Sequence, residues 1–405
     1  MNVMVTLECR FDRAPDGTVW SSWGQFLYPF FARYLEIFDQ VFVAARLKNA
    51  DRVLDGWKRA DGPGVSFMPI PYYLGPMQYA FRAYTIQQAA NRAVHSADAA
   101  ILRVPSIIAG AAERALKRNQ RPYGLEVVSD PFDVFAPCSV KHPLRPLLRI
   151  YGPYRLKRQC RDACAVAYVT KEALQKRYPT GPGVFHSSYS DVELGDEAFA
   201  SAQFRRNYTQ NPLTLIHVGT FAQLYKAPDV LLEAFSRCMN DGMDLRLTLI
   251  GDGQYRHEME KLVARLQLSE RVLFTGQLPG GQAVRDQLDQ AHLFVLASRT
   301  EGLPRAMVEA MARGLPCIGS MVGGIPELLD PDDLVFPGDA SALAAKIREI
   351  ATDPHRMVRM SVRNFERAQQ YHEHVLCKAR IGFYRYVRER TEEWKKIQNR
   401  RTPIG

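Results

Sequence analysis

Short apolar runs of strand length alternate with longer stretches of helical spacing along nearly the whole chain. A first series reads VMVTLE at 3–8, VFVAA at 41–45, VSFMPI at 65–70, AAILRV at 99–104 and LEVV at 125–128. Residues 28–38, 79–95 and 107–118 have helical periodicity and are long enough for the crossovers that parallel strands require. A second series starts afresh with LTLIHVG at 213–219, LRLTLIG at 245–251, RVLFTG at 271–276, LFVLAS at 293–298 and PCIGS at 316–320. Strand–helix alternation of this kind builds parallel sheets covered by helices on both faces. The fold class is therefore α/β, with two doubly wound, Rossmann-like domains. Residues 187–212 lack sustained periodicity and are rich in polar side chains, which places the hinge there. The predicted domains are 1–188 and 189–371. A basic, aromatic terminal helix at about 372–405 is expected to pack back on the first domain.

Length agrees with two domains, because 405 residues is two to three times the roughly 150 typical of one. The excess of 53 Lys and Arg over 43 Asp and Glu leaves a formal charge of +10, which calls for an anionic partner. Seven cysteines, an odd and scattered set, form no framework of pairs and no metal-ligand spacing, so a reducing cytoplasm is expected. No apolar stretch is long enough to span a membrane, and the first residues lack the order of a signal peptide.

Doubly wound sheets bind ligands beyond the carboxyl ends of their strands, so the loops of the second series carry the candidate chemistry. After LTLIG come Gly251, Asp252 and Gly253, then a helix at 255–266. Glycines there allow close approach of a phosphate, and a plain tight turn explains them equally well. No third glycine follows, and the next strand ends without an acidic residue, which speaks against a nicotinamide site. The densest constellation is SRTEGLPRAMVEAMARG at 298–314, where Pro304 suits the first helical turn and Gly314 the end. Glu301 precedes that helix. Glu309 lies within it among Met307, Val308, Ala310 and Met311, where an ionised carboxylate requires a polar partner. Ligand hydroxyls could supply it, and so could Arg305 or Arg313 one turn away. Adjacent glycines recur in Val322-Gly-Gly-Ile-Pro-Glu, and Lys226 stands before a helix begun by Pro228, where its ammonium could meet a phosphate or simply solvent.

Taken together, the pattern Glu, seven residues, Glu, followed by Gly-Gly-Ile-Pro-Glu resembles the nucleotide-sugar half of GT-B glycosyltransferases, in particular the retaining family GT4, the glycosyl transferases group 1. The resemblance covers residues 213–330. It implies that Glu301 holds the donor sugar near the reacting centre, that Glu309 binds the ribose and that Lys226 neutralises the diphosphate with help from the amides of Gly302 and Leu303. It implies no metal and no cofactor beyond the donor, a nucleoside diphosphate sugar with UDP favoured. Many relatives carry an Arg before this Lys. Here Thr220 stands at that place, and Arg299 is the nearest substitute by sequence. The first domain departs further, offering Gly24 in place of paired glycines and Arg103 where relatives often have His. Asp130 and Asp133 could contact an acceptor hydroxyl, or could serve only the turn before Pro131.

Between Lys141 and Arg161 lie seven Lys and Arg and no acidic residue, interleaved with leucines, Ile150 and tyrosines. Such a segment suits an anionic membrane surface, although prolines at 143, 146 and 153 are expected to interrupt a helix. No nucleic-acid motif accompanies it. The expected function is a metal-independent, retaining sugar transfer to a growing or lipid-linked glycan, as in exopolysaccharide, capsule or lipopolysaccharide assembly, at the cytoplasmic face of the membrane. Transfer to a soluble small molecule keeps the same fold. A non-catalytic sugar-nucleotide or nucleic-acid binding protein is the alternative of another class.

Overall fold

The structure is a computed structural model that describes all residues except 23, 25, 137–143, 202–206 and 402–405. In the N-terminal half, strands β1 (Asn2–Arg13), β2 (Val19–Ser21), β3 (Gln40–Asn49), β4 (Lys58–Arg59), β5 (Val65–Pro71), β6 (Ala99–Val104), β7 (Gly124–Val127), β8 (Ala165–Tyr168) and β9 (Phe185–Ser188) share one sheet. Its parallel part runs β5-β3-β1-β6-β7-β8-β9, with β2 and β4 added antiparallel beside the end of β1. Helices α1 (Tyr28–Ala32), α2 (Gly75–Ser96), α3 (Ile107–Arg118), α4 (Pro131–Val134), α5 (Arg145–Asp162) and α6 (Ala173–Arg177) connect them. The C-terminal half has a wholly parallel sheet of order β12-β11-β10-β13-β14-β15, formed by β10 (Leu213–Val218), β11 (Leu245–Ile250), β12 (Val272–Gly276), β13 (Leu293–Leu296), β14 (Cys317–Ser320) and β15 (Leu334–Val335). Its helices are α7 (Pro228–Asn240), α8 (Arg256–Arg265), α9 (Gln282–Gln290), α10 (Arg305–Ala312), α11 (Ile325–Leu328), α12 (Ala340–Ala351) and α13 (Pro354–Gln369).

Both sheets reverse their winding once, between β1 and β6 and between β10 and β13. At such a switch point the flanking loops diverge and leave a crevice at the strands' carboxyl ends. The chain then returns to the first half through α14 (Glu373–Arg401). Phe383 and Val387 of α14 sit where a side chain on Gly124 would have to go, Tyr384 stacks on Tyr34 with ring centroids 4.5 Å apart, and Lys395 pairs with Asp98.

The strand runs read from the sequence all lie in these sheets, but two helical expectations change. Residues 28–38 form only the short α1 and a 3₁₀ turn at Arg33–Glu36. The basic segment, expected to be broken by prolines, is one helix from Arg145 through Pro153 to Asp162. Pro146 sits in the first turn, where its missing N–H costs nothing. Gly152 lies so close to Pro131 that a Cβ would stand 2.8 Å from its side chain, so packing on α4 holds the helix across Pro153. Lys141 and Pro143 lie outside the described residues.

Candidate functional site

The loops after β10 and β13 meet at the switch point of the second sheet. A 3₁₀ turn, Leu224–Lys226, ends in Ala227, whose left-handed backbone (φ 50°) swings the chain into α7 with Pro228 in the first turn. That turn delivers Lys226 Nζ to 2.6 Å from Glu301 Oε1, and Ser298 Oγ donates to the same oxygen at 2.6 Å. Side-chain exposure is 13% for Lys226 and 6% for Glu301, so the pair is nearly dry. Burial works against the Lys226 charge, but the Glu301 carboxylate prevails and raises the ammonium's pKa.

Beneath them lies His217, at 0% exposure, which the sequence reading did not single out. Its Nδ1 lies 3.1 Å from the Val295 carbonyl and therefore donates to it, so the neutral ring carries its lone pair on Nε2. That nitrogen is buried with no hydrogen-bond partner, 3.0 Å from where a Cβ on Gly219 would stand. Burial, with Lys226 adding to it, pushes the imidazole pKa down to about 4. A histidine at the end of an apolar strand has no sequence signal that separates it from a core residue.

Glu309 stands on α10 without a hydrogen bond or ion pair among the described residues. Burial raises its pKa, with Arg305 and Arg285 pulling the other way. Neither proposed helical partner reaches it as an ion pair. Arg313 is taken by Asp289 in a bidentate pair at 2.6 and 2.7 Å, and Arg305 at the head of α10 is exposed. The carboxylate therefore retains acceptor capacity for hydroxyl donors.

Gly302 and Leu303 occupy the seam between the two halves. A Cβ on Gly302 would overlap the Val128 carbonyl oxygen of the first half, so only glycine fits while that approach is kept. Their amides donate to no group among the described residues, whereas the Gly302 carbonyl accepts from the Gly324 amide at 2.7 Å. Glu327, the last residue of Gly-Gly-Ile-Pro-Glu, accepts from the amides of Lys171, Glu172 and Ala173 at 2.7, 3.0 and 2.6 Å. That carboxylate ties α11 to the start of α6 across the cleft.

Several predicted residues have other duties. Arg299 forms a fork with Asp229 at 2.6 and 2.9 Å and reaches the Leu224 carbonyl at 2.7 Å, so it braces the Lys226 turn from behind. Gly251 and Gly253 have strongly positive φ, and the space of a Cβ at each is filled by the backbone of residues 219–222. They serve loop-on-loop packing. Thr220 joins that packing, with its hydroxyl 3.3 Å from the Asp252 carbonyl and 3.1 Å from the Ala222 amide.

In the first half, Arg103 is turned inward at 4% exposure. It pairs with Glu126 at 2.5 Å and with Asp191, while Tyr34 and Tyr189 donate to Glu126 at 2.9 and 2.8 Å. Burial opposes the charge on Asp191, yet Arg103 and Arg33 hold its carboxyl below the ordinary range. Arg103 thus neutralises a buried cluster and is not available to an acceptor. Asp130 caps α4 through the Phe132 amide at 2.8 Å and is held by Arg177 and Tyr178. These contacts are the ones that the turn before Pro131 needs. Gly24, with φ 64°, turns the loop between β2 and α1 and has open space around it.

Residues 212–353 match the family model described as glycosyl transferases group 1. Protein CapJ of Staphylococcus aureus is 28% identical over 333 residues, covering 82% of each chain. The amylovoran biosynthesis glycosyltransferase AmsK of Erwinia amylovora is 34% identical over 149 residues, which span 35% of this chain and 36% of AmsK. Among solved structures, sucrose-phosphate synthase from Thermosynechococcus elongatus superposes with a TM-score of 0.71 at 18% identity, over 95% of this chain and 98% of its own. HepE of Anabaena, solved with UDP and glucose, does so with a TM-score of 0.64 at 17% identity, over 94% and 98%. The family match lies within the C-terminal half, and the chain as a whole has the two-domain GT-B fold.

Proposed function

We propose that this chain is a retaining glycosyltransferase that moves a sugar from a nucleoside diphosphate, UDP by preference, to a hydroxyl of a growing or lipid-linked glycan. The observation that carries the reading is the Lys226–Glu301 pair at the switch point, beside the undonated amides of Gly302 and Leu303. Without a donor, each charge stabilises the other in a nearly dry site. With a donor bound, sugar hydroxyls take over Glu301, and the ammonium and the two amides meet the diphosphate. As the bond from the anomeric carbon to the phosphate oxygen breaks, negative charge grows on the leaving group and positive charge on the sugar ring. A cation and amides fixed beside the former act mainly in the transition state. The acceptor hydroxyl attacks the same face that the diphosphate leaves, and the departing phosphate oxygen takes its proton. No protein nucleophile is required, and side chains with a helix N-terminus supply the positive charge that a metal ion supplies elsewhere. Glu309, with its unfilled acceptor sites, takes the ribose hydroxyls. AmsK, a relative named for polysaccharide synthesis, and HepE, solved with UDP, support the acceptor and donor classes.

The first half supports an acceptor held at a membrane. No helix among the described residues is long and apolar enough to cross one. However, α2 and α5 flank α3 in one buried layer, and their N-terminal halves expose Met77, Phe81, Tyr84, Leu147, Ile150 and Tyr154, with Phe81 at 85% and Ile150 at 75%. Arg145, Arg149, Arg155 and Lys157 on α5 add cations to these apolar side chains, a combination suited to anionic headgroups. The reading is tested by supplying nucleotide sugars with a lipid-linked acceptor and determining the product's anomeric configuration by NMR. Retention is expected, and an inverted product refutes the mechanism. Flotation with phosphatidylglycerol vesicles tests the surface: binding is expected at low salt and lost on Phe81→Glu with Ile150→Glu, and absence of binding by the unaltered protein refutes it.

A further inference from the structure

The cations expected at the diphosphate are mostly spoken for. Lys226 is neutralised by Glu301 at 2.6 Å, and Arg299 is forked by Asp229. Thr220, in the loop before Lys226, is neutral and engaged in loop packing. A donor diphosphate brings more negative charge than one shared ammonium offsets. Arg305 is different: it is exposed, it opens α10 four residues after Glu301, and no hydrogen bond or ion pair within 4.0 Å holds it among the described residues. Its charge is nonetheless felt by Lys226, Tyr225 and Glu309 in its own half and by Asp191 of the facing half. Opening α10 two residues after Leu303, it overlooks the seam where Gly302 and Leu303 present their undonated amides. A second feature of the same site points to a ligand. The lone pair of His217 Nε2, wholly buried beside Gly219 and Lys226, is unmatched by any donor among the described residues.

We propose that Arg305 is a second cation that, beside Lys226, binds the donor diphosphate in this chain. The proposal rests on the nucleotide-sugar reading above. Arg305 acts with the amides of Gly302 and Leu303, and its guanidinium can span two phosphate oxygens as a lysine ammonium cannot. Because it lies on α10 rather than on the loop after β10, it also couples diphosphate binding to the helix that carries Glu309.

Binding of UDP, GDP and ADP, each paired with its own nucleoside, to the full chain tests this by calorimetry. Arg305→Ala is expected to weaken the preferred diphosphate about tenfold to a hundredfold while changing its nucleoside less than about threefold. Thr220→Arg added to Arg305→Ala is expected to restore much of the loss, because it returns a cation from the other loop. The melting temperature of ligand-free Arg305→Ala should match that of the parent, since the side chain is exposed and unpaired. An unchanged preference for diphosphate over nucleoside in Arg305→Ala overturns the proposal and leaves the nucleotide-sugar reading standing. Failure of every diphosphate to bind the unaltered protein overturns that reading itself, and the role of Arg305 with it.

Discussion

The ion pair between Lys226 and Glu301 is a sharp point at which to test the site, because its two members are coupled both structurally and chemically. Lys226→Met keeps the volume and removes the charge, leaving the Glu301 carboxylate with only Ser298 at 2.6 Å. Breaking a buried pair from one side costs about 3–5 kcal/mol, and the 13% exposure of Lys226 puts the value near the lower end. Glu301→Gln keeps an acceptor for Ser298 and strands the ammonium, at a similar cost. The double variant carries no stranded charge, so its loss should be about 1 kcal/mol, giving a coupling energy of about 5 kcal/mol. Equilibrium unfolding in urea of the four proteins reads this directly. Turnover should fall about a hundredfold to a thousandfold in each single variant, as for loss of a group that stabilises leaving charge. The double variant should be little worse, because the pair acts as a unit. Stability losses that add within about 0.5 kcal/mol would refute the coupling. Full turnover in both single variants would refute the catalytic assignment.

Other positions respond in their own ways. Glu309→Gln removes an unpaired, largely buried charge, so the ligand-free protein should melt higher at pH 7 while the nucleoside diphosphate binds about tenfold to a hundredfold more weakly; a lower melting point with unchanged binding contradicts the ribose role. His217 has the same charge folded and unfolded above its ordinary value of 6.5, whereas between 6.5 and about 4 only the unfolded ring takes a proton. Stability should therefore drop by about 3 kcal/mol across that window relative to His217→Asn, and parallel pH profiles for the two proteins would contradict its burial as a neutral ring. Gly302→Ala should cost about 1–3 kcal/mol by forcing the loop off the Val128 carbonyl, seen as a lower melting temperature, and an unchanged melt would show the seam to be looser than described.

Much of this molecule follows from the sequence because local periodicity and sheet burial share the same cause. A strand covered on both faces must be largely apolar, so β10, β11 and β13 announce themselves, and their order along the chain leads to two doubly wound halves. The spacing of Glu301 and Glu309 is likewise legible, since the first lies in the loop after a strand and the second one turn into the helix that Pro304 introduces. What the sequence could not decide is which charges cancel. Arg103, Arg299 and Asp130 look like candidates for ligand contact. Each is consumed by partners distant in sequence: Glu126 and Asp191, Asp229, and Arg177 with Tyr178. Arg305 and His217 look ordinary, and among the described residues folding leaves the first without an ion pair and the second with an unmatched lone pair. Gly251 and Gly253 carry the appearance of a phosphate loop, yet the backbone of residues 219–222 fills the space against them. Hydrophobic pattern is a property of neighbours along the chain and survives in one dimension. Electrostatic pairing and close backbone approach depend on distances of a few ångströms between segments far apart in sequence, and only the tertiary structure sets those.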